Sequence, residues 1–336
     1  MLSAADKILQ KALVGSPMNS AQWARIQAGL RDRAFFSARV EDVRRLAAAR
    51  TATAEHAAGA KSLSETRRDI RDALAATGYV RPEGGEGTIT DLMTQRRLDL
   101  IIKTNVQQAR GWKQYMEGTT PGALAAFPAQ RLIRVRQRRM PRDWASRWRM
   151  AGEATGWEGA SREEMTALKT SPIWRKLSRF GNPFPPFDFN SGMELEDVGK
   201  RRTVELGLAN REELNEMVKK AAEAPVPDFN ANLATKVTPD EGEMLRERFG
   251  DQVDISDGMA KWVERPFAGM NPGETRSMPG ADGLVTVPAA SVAGLSADLE
   301  ALLPSMLREG GVFETLTGDK LLAEVVNGIF KGIVKK

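Results

Sequence analysis

The chain has 336 residues, 41% of them hydrophobic and 28% charged, and contains no Cys; this excludes disulfides and thiolate metal sites, and the ordinary balance argues against global disorder. A single core stops growing near this length, so two or three structural units are expected. The net charge of +5 hides a polarity, because residues 1–150 carry 27 Lys and Arg against 14 Asp and Glu while residues 151–336 carry 22 against 30; such a split speaks to association and not to fold.

The first residues, MLSAADKILQKALVGSPM, interleave apolar and charged side chains and lack the apolar block of a signal peptide. No run approaches the roughly 20 apolar residues of a membrane span. A soluble, cytoplasmically made protein with no membrane partner is therefore expected. Ser3 predicts a helix from about Ala4 to Val14, ended by Gly15-Ser16-Pro17. A long helical stretch is predicted from about Ser20 to Ala58. Trp23, Ile26 and Leu30, then Val40, Val43 and Leu46, mark its apolar side, and Arg25, Arg31, Arg33, Arg39, Arg44, Arg45 and Arg50 read as a solvated basic face.

Ser62 or Ser64 opens the next helix, with Ile70, Ala73 and Leu74 inward and Gly78 as its stop. Gly84, Gly85 and Gly87 follow no strand and have neither dinucleotide nor P-loop spacing, so they belong to a connector. From Thr90 to Met116 the recurrence of Leu92, Leu98, Ile101, Ile102, Val106, Ala109 and Trp112 is helical, with Gly118 and Pro121 as terminators.

The composition changes at residues 131–149, RLIRVRQRRMPRDWASRWR, which hold eight Arg and one Asp. Ile133 and Val135 alternate with Arg134 and Arg136 as in a short strand with one wet face. Pro141 suits the first position of a helix, on which Trp144 and Trp148 share a face. Arg131, Arg134, Arg136, Arg138, Arg139, Arg142, Arg147 and Arg149 are the candidates for contact with a polyanion or an acidic protein surface. The same pattern also describes a plain solvated face over a buried Trp pair.

Ser161, with Glu163 and Glu164 behind it, predicts a helix start. Residues 171–193, SPIWRKLSRFGNPFPPFDFNSGM, hold one Trp, four Phe and four Pro. Proline fixes φ and removes a donor, so this is an ordered aromatic loop and neither a continuous helix nor a central strand. Exposing its rings would forfeit roughly 1.5 to 3 kcal/mol for each. Trp144, Trp148, Trp174, Phe184, Pro185, Pro186, Phe187 and Phe189 are the candidate docking-loop residues, closing over their own unit or seating on a partner. Downstream, Glu194–Gly207, Arg211–Ala224 and Pro239–Phe249 read as helices, the stretch from Ala224 to Gly242 as a linker joining the last two, and 266–288 as a loose Gly- and Pro-rich segment with one extended piece at Leu284–Val287. Helices near Ala297–Arg308 and Asp319–Val334 complete the expectation, the last as a docking element.

Catalytic chemistry is scarce. His56 is the single histidine and lies in an Ala-rich helical run. With no second His and no Cys, no Cys-His or Ser-His-Asp arrangement has a spare member. No DxDxDG calcium loop occurs. A carboxylate-only hydrolase has no positive signal. No cofactor, metal site or enzymatic activity is expected.

Three stretches in order, RLDLIIKTNVQQARGWKQYMEG, FPAQRLIRVRQRRMPRDWASRW and SPIWRKLSRFGNPFPPFDFNSGM, resemble the F-like head-morphogenesis proteins of tailed bacteriophages, the minor capsid proteins akin to the F protein of phage Mu. The resemblance spans about residues 90–208. It rests on Thr104 and Asn105 in a helix, the Arg strand region, and Trp174 before Pro185, Pro186, Asn190 and Gly192, with AFFSARV at Ala34–Val40 as weaker support. Distant members carry His and Cys around the Pro loop; this chain carries neither there.

The resemblance implies a virion structural protein near the portal vertex, made in the host bacterial cytoplasm and built into a larger assembly. Its implied partners are the portal or major capsid protein and packaged DNA; a basic DNA-binding or packaging-accessory protein is the alternative. The expected architecture is mainly α with a small α+β middle unit: long N-terminal helices over 1–118, a compact Arg- and Trp-rich central unit over 119–208, and a helical C-terminal region over 209–336 with the loose segment 266–288.

Overall fold

The computed structural model describes residues 2–137, 139–161, 163–224, 234–263, 273, 275–281, 283–293, 295, 299–300, 303, 306–307, 310, 312–314 and 320–335. Among them the chain is a helix-rich mixture of α and β structure with four small sheets. It divides into two compact units: residues 1–11, 19–33 and 48–230 make the first, and residues 12–18, 34–47 and 231–336 the second.

Helix starts follow local chemistry. Ser3 with Asp6, Asn19 with Gln22, Ser62 with Glu65, Asn210 with Glu213 and Thr238 with Glu241 each form a reciprocal capping box, in which two otherwise orphaned backbone donors find side-chain acceptors. The helices Leu63–Ala76 and Pro239–Phe249 accordingly begin where the caps place them. Gly78, at φ +64°, ends the former in a left-handed turn closed by Tyr79 N–H on Leu74 O.

The first unit is built on the helix Gln95–Gly118, whose Leu98, Ile102, Val106, Ala109, Trp112 and Met116 are buried. The short helix Ala4–Leu9 packs against it, as does Leu63–Ala76. An antiparallel sheet of three strands, in the order Thr166–Leu168, Ala129–Arg134, Met193–Val198, completes the unit's framework. In the central strand Ala129, Gln130 and Leu132 are buried while Arg131 is exposed opposite Glu196.

The second unit contains a parallel pair, Ala12–Leu13 with Ala34–Phe35. Its N-terminal part is tied to residue 252 by a side chain, since Gln252 accepts from Gly15 N–H at 3.0 Å and donates to Gly15 O at 3.1 Å. A three-stranded sheet orders Thr235–Lys236, Met259–Trp262 and Val253–Ser256, and Phe249 meets Trp262 edge-on at 5.0 Å. A five-stranded sheet orders Val312–Glu314, Lys320–Val326, Ile329–Lys335, Gly283–Pro288 and Thr275–Gly280, over a core of Val285, Val287, Val292, Leu303, Leu307 and Phe330.

Several sequence expectations are corrected. The helix expected to reach Val14 stops at Leu9, because Ala12 and Leu13 are spent in the parallel pair. The single helix expected over Ser20–Ala58 is broken into Ser20–Trp23, Ala28–Asp32, the strand Ala34–Phe35 and Val43–Ala57, with Arg39 at φ 60° turning the chain between them. The helix expected at Pro141 begins at Trp144, capped by Asp143. Ser161 opens a turn, closed by Met165 N–H on Ser161 O, and no helix. Glu194–Gly207 holds the outer strand of the sheet before the helix Lys200–Glu205.

Residues 225–233 of the expected linker lie outside the described residues, as do 266–272, 274 and 282 of the Gly- and Pro-rich segment. The remainder of that segment pairs as an antiparallel hairpin, Thr275–Gly280 with Gly283–Pro288. The described residues of 297–308 are helical. The helix expected over Asp319–Val334 is instead a hairpin, Lys320–Val326 paired with Ile329–Lys335. Its turn is Asn327-Gly328, both at positive φ (52° and 71°), the dipeptide that favours a type I′ connection, and its flanks are rich in β-branched residues.

Candidate functional site

The aromatic residues singled out in the sequence come together first. Asp143 caps the helix Trp144–Glu153 by accepting from Ser146 N–H at 2.9 Å, which puts Trp144 and Trp148 on its inner face. The Trp148 ring lies 5.2 Å from Trp174, and Trp174 stacks on Phe187 at 6.0 Å. Both indole N–H groups are satisfied by backbone, Trp148 Nε1 donating to Ala160 O at 3.2 Å and Trp174 Nε1 to Leu168 O at 2.9 Å. Leu132, Ile173 and Met193 close the cluster.

The Pro-Phe loop therefore seals its own unit. Trp144, Trp148, Trp174 and Phe187 are no more than 2% exposed. Phe184 packs with Trp112 and Met116 against the long helix, and Pro185 and Pro186 are buried beside it. Phe189 is half-buried and meets Phe180 edge-on at 4.9 Å. The long helix approaches this loop at Gly111, where a Cβ would overlap the Pro185 carbonyl.

The arginines separate into groups. Arg131 pairs across the strands with Glu196, Nε to Oε2 at 3.0 Å, and Arg149 pairs along its helix with Glu153 at 2.5 Å. Arg136 and Arg139 are exposed. Burial pushes the neighbouring Glu194 carboxyl up, with Arg136 pulling the other way. Arg138 lies outside the described residues. Arg134 donates through Nη2 to Arg142 O at 3.4 Å, and its buried Nη1 has no hydrogen-bond partner in the chain.

Arg142 and Arg147 converge on one carboxylate, Asp188, which is 1% exposed. Its Oδ2 accepts from Arg147 Nη1 at 2.9 Å and lies 3.2 Å from Arg142 Nε. Its Oδ1 accepts from Phe189 N–H at 2.8 Å and lies 3.8 Å from Arg179 Nη1. Rings brace the guanidinium groups: Arg147 lies over Trp144 at 5.0 Å and Arg179 over Phe189 at 5.4 Å. Arg142 also donates to Phe189 O at 3.0 Å.

Three cations thus share one buried anion while keeping part of their surface in water. The cluster is held rigid from below and carries surplus positive charge above, an arrangement able to bind an anionic partner. Arg179 and Asp188 were not among the sequence candidates. Asp188 did carry a signal, being the sole acid in residues 171–193. A carboxylate inside an aromatic loop that must bury its rings has to be paired.

A second charged cluster lies inside the first unit. Lys7 and Lys11, four residues apart, are fully buried. Lys7 Nζ donates to Asp32 Oδ2 at 3.0 Å and Oδ1 at 3.2 Å, and sits 4.9 Å from the Trp112 ring and 5.3 Å from Phe184. Lys11 Nζ donates to Asn105 Oδ1 at 3.3 Å. Burial, opposed by Asp32, lowers the Lys7 ammonium to about 8, and burial lowers Lys11 as well. Burial alone would raise the Asp32 carboxyl, but Lys7 and Lys11 overcome it and hold it below the usual carboxylate range.

A small hollow lined by Gly111, Gln114 and Lys169 lies beside Phe184 and Pro185. Its Lys169 is already neutralised by Asp197 at 2.7 Å. His56 Nδ1 lies 2.9 Å from Lys61 O, and no group of three or more His, Asp or Glu among the described residues is placed to hold a metal ion. Nor is any described helix long and apolar enough to cross a membrane. No family model matches the chain, and neither a curated protein nor a solved structure matches it.

Proposed function

We propose that the chain is a structural minor capsid, or head-morphogenesis, protein of a tailed bacteriophage that acts in head assembly near the portal through protein-protein contacts. One observation carries the reading. The three stretches that resemble the F-like proteins are folded onto one another: the long helix meets the Pro loop at Gly111 and Pro185, the Arg strand pairs with the strand leaving that loop, and Trp148 packs on Trp174. Motifs far apart in a chain that build one core support a shared ancestry better than motifs scattered over a surface. On this reading residues 119–208 are the head-morphogenesis-like unit, the portal or major capsid protein is the neighbour, and the destination is the virion.

The test is co-purification. The chain is expected to travel with procapsids or virions and to be released by graded salt washes, since guanidinium contacts are screened. A chain recovered free from lysate and absent from particles overturns the proposal.

A DNA-binding or packaging-accessory role is a second reading, favoured by the eight Arg in residues 131–149, of which Arg136 and Arg139 are exposed. It requires duplex binding that weakens steeply with salt and is lost when Arg134, Arg136, Arg138 and Arg139 become Gln. Salt-independent or absent binding removes it.

A further inference from the structure

We infer that the face formed by Arg142, Arg147 and Arg179 is a docking site for an acidic protein segment that also carries apolar side chains. The inference rests on the assembly reading for its choice of a protein partner; the site itself rests on geometry.

The first observation is a surplus of donors. Asp188 is the shared carboxylate of three guanidinium groups, so positive charge exceeds negative where they meet. Arg134 and Trp144 join the cluster through one atom, the Arg142 carbonyl oxygen, which accepts from Arg134 Nη2 and from the Trp144 backbone N–H. The face itself offers donors, because the Arg142, Arg147 and Arg179 side chains keep 35%, 38% and 45% of their surface exposed over one carboxylate.

The second observation concerns shape. Arg131 and Arg149 are neutralised by Glu196 and Glu153, so the eight-arginine run does not continue as a positive stripe. Arg142 and Arg147 are gathered with Arg179 round Asp188, apart from the exposed Arg136 and Arg139, and that gathered group is focal. A phosphate backbone presents charge at about 1.7 Å spacing along its axis and is matched by an extended track. A focal cluster matches a few clustered carboxylates, each able to take a guanidinium fork.

The third observation is exposed apolar surface a few residues before Arg142 in the chain. Met140 is 87% exposed and Val135 50% exposed. Both precede Arg142 closely in the chain, and the Val135 N–H is bound to Gly192 O. Nucleic acid backbone offers nothing apolar to cover them; a protein segment does, and such mixed surface is characteristic of interfaces.

The experiment uses the purified full chain and three labelled probes: a Glu-rich peptide with spaced Leu residues, a poly-Glu peptide of equal length, and duplex DNA of matched charge. The Glu/Leu peptide is expected to bind tightest. The pair Arg142→Gln and Arg147→Gln should weaken it about tenfold or more, while Arg131→Gln with Arg149→Gln changes it less than about twofold. Met140→Gln, at an exposed position that leaves the core untouched, should weaken the Glu/Leu peptide and leave poly-Glu unchanged. Tightest binding of duplex, equal loss from both arginine pairs, no effect of Met140→Gln, or no binding of any probe would each overturn the inference. Particle co-purification is scored separately, so failure of this site and failure of the assembly role are distinguishable.

Discussion

Gly111 and Pro185 approach so closely that a Cβ on the glycine would overlap the proline carbonyl oxygen, lie 3.1 Å from its carbon and 3.2 Å from Phe184 Cδ2. The long helix and the aromatic loop are therefore seated on each other through backbone. Gly111→Ala should destabilise the protein by about 1–3 kcal/mol, the range for overpacking a site that cannot relax cheaply. Gly122, where a Cβ meets nothing within 4 Å, is the control. Gly122→Ala should be neutral or gain up to about 1 kcal/mol from helix propensity. Urea unfolding of both variants makes the comparison.

Phe187 and Trp148 are core, and their loss should act on folding before it acts on any partner. Phe187→Ala or Trp148→Ala should cost about 3–5 kcal/mol, read by thermal and chemical unfolding. A Phe187→Ala protein that keeps its stability but no longer enters heads would mean that the ring serves an interface and not the core.

Asp188 holds Arg142, Arg147 and Arg179 together. Asp188→Asn leaves those guanidinium groups without their buried counter-ion and should cost about 3–5 kcal/mol, as breaking a buried pair from one side does. Removing the exposed Arg131–Glu196 pair should cost no more than about 1 kcal/mol. If the two substitutions cost the same in a denaturant titration, Asp188 is not the organiser of the face.

Lys7 gives the fold a pH signature. In the folded chain burial brings its ammonium to about 8, against an ordinary 10.5. Between those two values the unfolded chain holds a proton that the folded chain has released, so stability rises with pH through that window. Below about 8 both states are charged and the dependence vanishes. The full shift corresponds to about 3 kcal/mol. Lys7→Met should flatten the rise between pH 8 and 10.5, measured as the difference in unfolding free energy between the two proteins at each pH; an unchanged slope would show that Lys7 does not carry it.

The Asn327-Gly328 turn decides whether the last apolar run is strand or helix. Gly328, at φ +71°, is in the left-handed region that disfavours side chains. Gly328→Ala should loosen the hairpin by about 1 kcal/mol or more, seen as faster amide exchange in Lys320–Val326 and Ile329–Lys335. A helix there would instead be strengthened by alanine.

What was legible in the sequence was chemistry acting over a few residues. Ser3, Ser62 and Thr238 sit three positions before an acid, and the backbone donors they satisfy are exposed at any helix start, so those starts could be read directly. Trp144 and Trp148 share a face because four residues make nearly one turn. The density of Pro in residues 171–193 ruled out a continuous helix, and the cost of exposing its rings required that they be covered.

Tertiary structure alone decided the rest, because the partners are far apart along the chain. Arg147 and Asp188 are 41 residues apart, and Lys11 and Asn105 are 94. Which of eight arginines would be neutralised by a neighbour, and which would converge on Asp188, depended on sheet register and on the path of the Pro loop. The same holds for Ala12–Leu13, which leave a helical pattern to pair with Ala34–Phe35, and for the C-terminal hairpin, where cross-strand pairing outweighs an apolar spacing that suits either period. Local propensity is worth tenths of a kcal/mol per residue, and burial of a single side chain is worth more; the surplus positive face over a buried carboxylate exists only once that burial has been settled.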